Sequence, residues 1–392
     1  MTWEVDVAKL ERVRAKMAEE DLDAIVARAP DNVLYLTNYW GMKGYDAVVF
    51  PREGDPTLIV IAPQLADAER MSWTKDIRLF DGYDANDPRP PTDRSLDLCL
   101  AVLKERGLDG RVGLEFSQGV QGIDRMVGEP TVYSKPWFDA FTSSCREVVD
   151  ASSLLASARM IKTPQEVERM KLANELATLG LQHVKDLLVP GMRCSEAGAA
   201  FEGFVHANGV GYKNKVEMAR AFTLVWSGPG IRTFTATSDR PVYEHEPTLF
   251  EIWVCADGYW TDLTKNLCPG DLDPRYNELL DTLLGVYREA VGIARAGTRI
   301  GELDRLMRQR IAEAGYPGQP SHAVAHGVGA RAHEPPFAHQ AAEGVMQEGM
   351  VFAIEPGVYW EGGGGLRLED DYLITADGAE RLCEFPDDFR TL

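Results

Sequence analysis

The stretch Leu249-Phe-Glu-Ile-Trp-Val-Cys-Ala-Asp-Gly-Tyr-Trp-Thr-Asp-Leu-Thr-Lys265 decides how the rest of this chain is read. Asp257-Gly258 is a favoured two-residue hairpin turn, and the residues around it alternate or are β-branched, which predicts two antiparallel strands. That turn sets the register, with Trp253 opposite Asp262 and Glu251 opposite Thr264. Glu251 and Asp262 then share a face as diagonal neighbours about 7–8 Å apart. Phe250, Ile252, Val254 and Leu263 point the other way, toward a core. Either carboxylate alone would most often be a solvated surface group. Two of them over an apolar hairpin repel each other unless a cation or a proton lies between them.

Further along, four of the chain's seven histidines, His322, His326, His333 and His339, fall within eighteen residues. Gly and Ala surround them in His322-Ala-Val-Ala-His326-Gly-Val-Gly-Ala-Arg-Ala-His333-Glu-Pro-Pro336, leaving backbone room around the imidazoles. Imidazole is the commonest transition-metal ligand and titrates near neutrality. Two strands are expected next. Met350–Ile354 runs into Glu355-Pro356-Gly357, where the proline keeps Glu355 extended. Leu366–Thr375 carries Arg367, Glu369 and Asp371 on one face. One imidazole with four carboxylates is an oxygen-rich set that suits two divalent ions, Mn²⁺ first, with Co²⁺, Zn²⁺ or Fe²⁺ as alternatives. Two such ions roughly 3.5–4 Å apart can bridge a hydroxide and stabilise both the attacking and the developing oxygen.

Working outward from these segments, 392 residues imply at least two domains. Residues 1–155 read as alternating helix and strand, an α/β layer. Helices are expected at Val7–Asp21 and Asp93–Arg106. Strands are expected at Asp23–Ala29, Asn32–Thr37, Ala47–Pro51, Thr57–Pro63 and Arg111–Phe116. Residues 156–392 form the second domain. It opens at Thr163-Pro164-Gln165-Glu166, a capping box with proline at the first helical position, ahead of a long helix. Further helices are expected at Arg275–Ala296 and Gly301–Ala314. Two similar units, each a helix pair followed by an acidic hairpin, are suggested within this domain.

Asp and Glu number 61 against 41 Lys and Arg, a formal charge of −20. So acidic a surface repels nucleic acid and anionic membrane. No apolar run reaches the roughly 18–20 residues that a bilayer needs. The N-terminus lacks the basic-then-apolar layout of a signal peptide, and the six scattered cysteines form no CxxC pair; both point to the cytoplasm.

At these motifs the sequence resembles the pita-bread family of Xaa-Pro peptidases, aminopeptidase P and prolidase, together with creatinase. The resemblance spans essentially the whole chain and includes Arg159-Met-Ile-Lys-Thr-Pro-Gln-Glu166, Ile354-Glu-Pro-Gly and Leu366-Arg-Leu-Glu-Asp370. It implies an α/β creatinase-like N-terminal domain and an α+β pita-bread catalytic domain. The implied enzyme is a dinuclear metallohydrolase that cleaves a short peptide or peptide-like amide by metal-bridged hydroxide. Glu251, Asp262, His326, Glu355 and Glu369 would be the metal ligands, with Glu355 also the proton acceptor. His333 would hydrogen-bond the substrate carbonyl, and His322 and Arg367 would line the pocket of the leaving portion. The resemblance also implies a homodimer in which the loop of Trp40, Lys43 and Tyr45 approaches the partner's site, the other reading of these residues being an ordinary packing loop.

Two departures are visible. Glu251 stands where the family hairpin normally begins with Asp. Thr235 stands where the peptidases carry a second active-site histidine, after Ser227-Gly-Pro229, and a hydroxyl at this substrate-facing position cannot shuttle a proton as imidazole does. Thr235 therefore keeps a second reading open: a small-molecule enzyme of the same fold, such as a creatinase-like or ectoine-type amidohydrolase or a dimethylsulfoniopropionate lyase. A non-catalytic binding module is disfavoured by the retained ligand positions.

Overall fold

The computed structural model describes residues 3–42, 44–117, 135–233, 235–360 and 362–391. The chain divides into two compact units, Met1–Arg159 and Met160–Leu392.

In the first unit the order is α1 (Val7–Glu19), β1 (Ala24–Ala27), α2 (Pro30–Thr37), β2 (Ala47–Pro51), β3 (Thr57–Ile61), α3 (Leu65–Met71), β4 (Asp76–Phe80), α4 (Pro91–Glu105), β5 (Arg111–Leu114), α5 (Lys135–Ser144), β6 (Glu147–Asp150) and α6 (Ser152–Arg159). The strands form one mixed sheet in the order β4-β3-β2-β1-β5-β6. Successive side chains leave a strand on opposite faces, so a sheet covered on both sides is apolar throughout. Accordingly Ile25 and Ala27 pack with Leu10, Val13 and Leu155. Ala24 and Val26 pack with Val102, Trp137 and Phe141 on the other face.

One element differs from the sequence reading: Asn32–Thr37 is not a strand but most of helix α2. Pro30 sits at the start of that helix, Asp31 lies in its first turn, and Asn38 closes it in the left-handed conformation at φ 65°. Residues 31–37 are buried on every side. A short, wholly buried run has no polar face, so its periodicity cannot tell helix from strand.

The second unit opens with α7 (Pro164–Leu187), held at its start by the Thr163–Glu166 capping box. Helix α8 (Cys194–Gly209) precedes strands β7 (Ala219–Ser227), β8 (Thr248–Ala256), β9 (Tyr259–Trp260) and β10 (Leu263–Leu267). A second helix pair follows, α9 (Pro274–Ile293) and α10 (Ile300–Glu313). Strands β11 (Ala325–Gly327), β12 (Glu334–Phe337), β13 (Val351–Ile354), β14 (Gly357–Tyr359), β15 (Gly365–Arg367), β16 (Asp370–Ile374) and β17 (Ala379–Arg381) complete the chain. Helix pair followed by antiparallel sheet thus occurs twice. The sheets run β10-β8-β7, with β9 paired to β8, and β12-β11-β13-β16-β17, with β14 and β15 as a separate pair.

The turn at Asp257-Gly258 has φ of 47° and 84°. Ala256 pairs with Tyr259 and Glu251 with Thr264, the register expected from a two-residue turn. The segment expected as one strand over Leu366–Thr375 instead changes partner at Leu368–Glu369: β15 pairs with β14, and β16 with β13. At this switch Leu368 N–H donates to Pro356 O and Glu369 N–H to Thr264 O, which draws the two larger sheets together. Leu279, Leu283, Leu303 and Met307 from α9 and α10 pack against Phe352, Ile354, Leu366 and Leu368 and support the strands from behind. No helix among the described residues is long and apolar enough to cross a membrane.

Candidate metal centre and active site

The side chains of the site come from strands of the second unit and from the turns that join them. His326 is the central residue of β11, opposite Ala353 of β13. Glu355 follows β13 directly, its N–H donating to Val324 O at 2.8 Å. Glu369 occupies the switch between β15 and β16, and Asp262 lies between β9 and β10. Asp262 N–H points to the carboxylate of Asp371, 3.3 Å from each oxygen. Asn174 of α7 donates to the same carboxylate.

These positions converge. His326 Nε2 lies 3.5 Å from Asp262 Oδ2 and 3.6 Å from Glu355 Oε1. His333 Nε2 lies 3.3 Å from the same Asp262 oxygen. Two groups have donor atoms within 4.8 Å of one another: Asp262, His326 and His333, and His326, Glu355 and Glu369. Thr264 Oγ1 donates to Glu369 Oε2 at 2.6 Å, and Arg367 Nε donates to Thr264 Oγ1 at 2.6 Å. Glu251 pairs with Arg367 at 2.6 Å and so stands beside both groups rather than inside either. His322 Nδ1 lies 3.2 Å from Glu355 Oε2.

Burial makes this an electrostatic problem. Asp262 and Glu369 are each 1% exposed and Glu355 8%. Loss of water, then the charges of Glu369, Glu251 and Glu355, push the Asp262 carboxyl well above its usual range. Burial and the charge of Glu355 likewise raise Glu369, against the pull of Arg367. Burial would raise Glu355 too, but His322, His326 and Arg367 outweigh it and hold this carboxyl down at about 2. Three buried carboxylates, with Glu251 beside them, thus face Arg367 as the fixed cation among the described residues, a deficit of positive charge that divalent ions would fill. His326 suits this: Nδ1 hydrogen-bonds Gly327 O at 3.0 Å, which in the Nδ1–H tautomer leaves the Nε2 lone pair facing the carboxylates. The donor set therefore fits oxygen-preferring divalent cations with one or two imidazoles.

Asp262, His326, Glu355, Glu369, His333 and His322 are brought together, with Glu251 and Arg367 adjoining. Thr235 is exposed. Trp40 and Tyr45 are partly buried against the two cores of the first unit, and Lys43 lies outside the described residues. Sequence reasoning missed Tyr359, whose hydroxyl meets both His322 Nε2 at 3.1 Å and Arg367 Nη1 at 3.3 Å. Its only signal was its place on the strand that follows Glu355. Thr264 and Asp371 were in view as pattern residues, but their hydrogen bonds to Glu369 and Asp262 depend on the junction between sheets.

The model of metallopeptidase family M24 matches residues 168–376, and that of the creatinase/prolidase N-terminal domain matches residues 9–161. The Bacillus subtilis protein YkvY is 32% identical over 385 residues, covering 97% of this chain and 98% of that one. An Xaa-Pro dipeptidase of Pyrococcus furiosus is 31% identical over 243 residues, covering 62% of this chain and 68% of that one. The crystal structure of the prolidase from Pyrococcus horikoshii superposes with a TM-score of 0.79 at 24% identity, covering 97% of this chain and 99% of that one. The α/β first unit and α+β second unit are thus the creatinase-type N-terminal and pita-bread catalytic folds, and the family implies divalent metal ions. With its family model matched across the unit that holds the carboxylate cup, the chain belongs to metallopeptidase family M24 and is a hydrolase.

Proposed function

We propose that this protein is a dinuclear metal-dependent peptidase of the Xaa-Pro dipeptidase type, acting on a dipeptide or short peptide. The observation that carries this reading is the single buried cup formed by Asp262, His326, Glu355 and Glu369, from four separate segments of a family M24 fold. The Xaa-Pro dipeptidase of Pyrococcus furiosus among its relatives supports the choice of substrate.

Glu251, Asp262, His326, Glu355 and Glu369 would hold the two ions, with Mn²⁺ the first choice. When bound, such ions supply Lewis acidity and lower the pKa of the attacking water. Glu355, ionised across the neutral range, takes the proton released by that water. His333, 24% exposed at the mouth of the cup, hydrogen-bonds the substrate carbonyl oxygen as it gains negative charge. His322, Tyr359 and Arg367 are linked by hydrogen bonds and line the pocket for the leaving portion, the guanidinium favouring a free carboxylate there. Thr264 keeps Glu369 in one rotamer through its 2.6 Å hydrogen bond. Thr235 and, in a homodimer, Trp40 would contact substrate from outside the cup.

The test is hydrolysis of a panel of Xaa-Pro dipeptides by the purified chain with Mn²⁺ added. Cleavage of the panel supports the reading, and failure across it overturns the peptidase assignment.

A further inference from the structure

Lys162 lies in the segment Met160–Glu166 that opens the catalytic unit, and nothing in the proposed chemistry uses it. Its ammonium lies 2.7 Å from the Glu334 carboxylate, with the two side chains 1% and 2% exposed. Burying such a pair removes hydration from both charges, and apolar residues of the same size often serve stability as well or better. What an ion pair adds is a fixed distance between two particular points of the chain.

Both ends of this pair are informative. Lys162 stands on a rigid post: its N–H donates to Gly349 O at 2.7 Å, Ile161 bridges Met350, and Thr163 caps α7. Gly349, at φ +86°, passes so close that an added Cβ would meet Lys162 O at 3.0 Å. Glu334 directly follows His333 and pairs with Gly327 beside a register shift in the β11–β12 ladder. Between them the loop is pinned early, where Val328 N–H donates to Val351 O and Gly329 O accepts from Trp260 N–H. Gly329 lies directly over the ion pair, where an added Cβ would fall 2.5 Å from Glu334 Oε1 and 2.8 Å from Lys162 Cε. The far end of the loop, which carries His333 to 3.3 Å from Asp262, is held by the Glu334–Gly327 pairing and, through the Glu334 side chain, by Lys162.

We infer that Lys162 is a positioning residue that, through its buried ion pair with Glu334, sets where the His333 imidazole stands over the cup. The inference rests on the proposed role of His333 at the substrate carbonyl. Displacing a catalytic group by about 1 Å can cost on the order of 100-fold in rate.

The test compares wild type, Lys162→Met and the double variant Lys162→Met/Glu334→Met. Three readouts are used: thermal midpoint, kcat and KM on an Xaa-Pro dipeptide with Mn²⁺, and the ¹H–¹⁵N signals of His333 in histidine-labelled protein. Lys162→Met strands a buried carboxylate, so its midpoint should fall. The double variant should regain a wild-type midpoint yet keep kcat at least about tenfold down, with KM within about twofold and the His333 signals shifted. A double variant that regains midpoint, kcat and His333 signals together would show the pair to be structural only and overturn the inference. Should wild type cleave no dipeptide, the functional reading fails separately. The His333 signals then decide alone: shifted in the double variant supports positioning, unshifted overturns it.

Discussion

Arg367 holds Glu251 by an ion pair of 2.6 Å while donating through Nε to Thr264, the residue that bonds Glu369. One guanidinium therefore ties the hairpin carboxylate to the opposite side of the cup. The Glu251 carboxylate, 15% exposed, meets that guanidinium at the edge of the cup. Glu251→Gln keeps the size and removes the charge. Mn²⁺ affinity measured by calorimetry should weaken by at least about 10-fold if Glu251 completes the ligand set; unchanged affinity would place it outside.

Glu355 is ionised and is the proposed proton acceptor, so Glu355→Gln should lower kcat by about 10²–10⁴-fold. His333→Asn, which removes the imidazole proposed to meet the carbonyl oxygen, should cost about 10²–10³-fold, mainly in kcat. Far-ultraviolet circular dichroism of both variants should match wild type. A variant with wild-type kcat would remove that residue from the mechanism.

Gly327 follows His326 where the ladder shifts register, and an added Cβ would fall 2.5 Å from Pro335 O and 2.7 Å from Glu334 O. Neither backbone can retreat without moving a site residue. Gly327→Ala should therefore destabilise the protein by about 1–3 kcal/mol in urea unfolding and lower its Mn²⁺ affinity. An unperturbed variant would show that this close approach is not needed.

In the first unit, burial raises the Asp46 carboxyl to about 6, against hydrogen bonds from Ile61 N–H and the Tyr39 hydroxyl. The folded chain then keeps this proton to higher pH than the unfolded chain does. Its contribution to stability is present at low pH and is lost as pH rises from about 4 to 6, by roughly 3 kcal/mol. Asp46→Asn cannot titrate, so urea unfolding should show the variant gaining on wild type across that window. A difference that stays constant with pH would contradict this.

Much of the site could be read from the sequence because its determinants are local. The Asp257-Gly258 turn fixes the register of Glu251 and Asp262, and a proline holds Glu355 extended at the end of its strand. What escaped depends on long-range contact. Tyr359 matters through its contacts with Arg367 on the neighbouring strand and with the more distant His322, and Asp371 through Asp262 and Asn174, which are remote in sequence. The strand at Leu366–Thr375 splits because Pro356 O and Thr264 O, from two different segments, capture successive N–H groups. Helix α2 was misread because burial on all sides erases the polar face that periodicity needs.

The most direct test of the account is a Mn²⁺ titration of Xaa-Pro dipeptide hydrolysis, starting from chelator-treated protein. Activity should rise from near zero, saturate at two equivalents of Mn²⁺ per chain and vanish again on chelation. Turnover that persists without divalent ions, or that ignores their addition, would contradict a cup built to hold them.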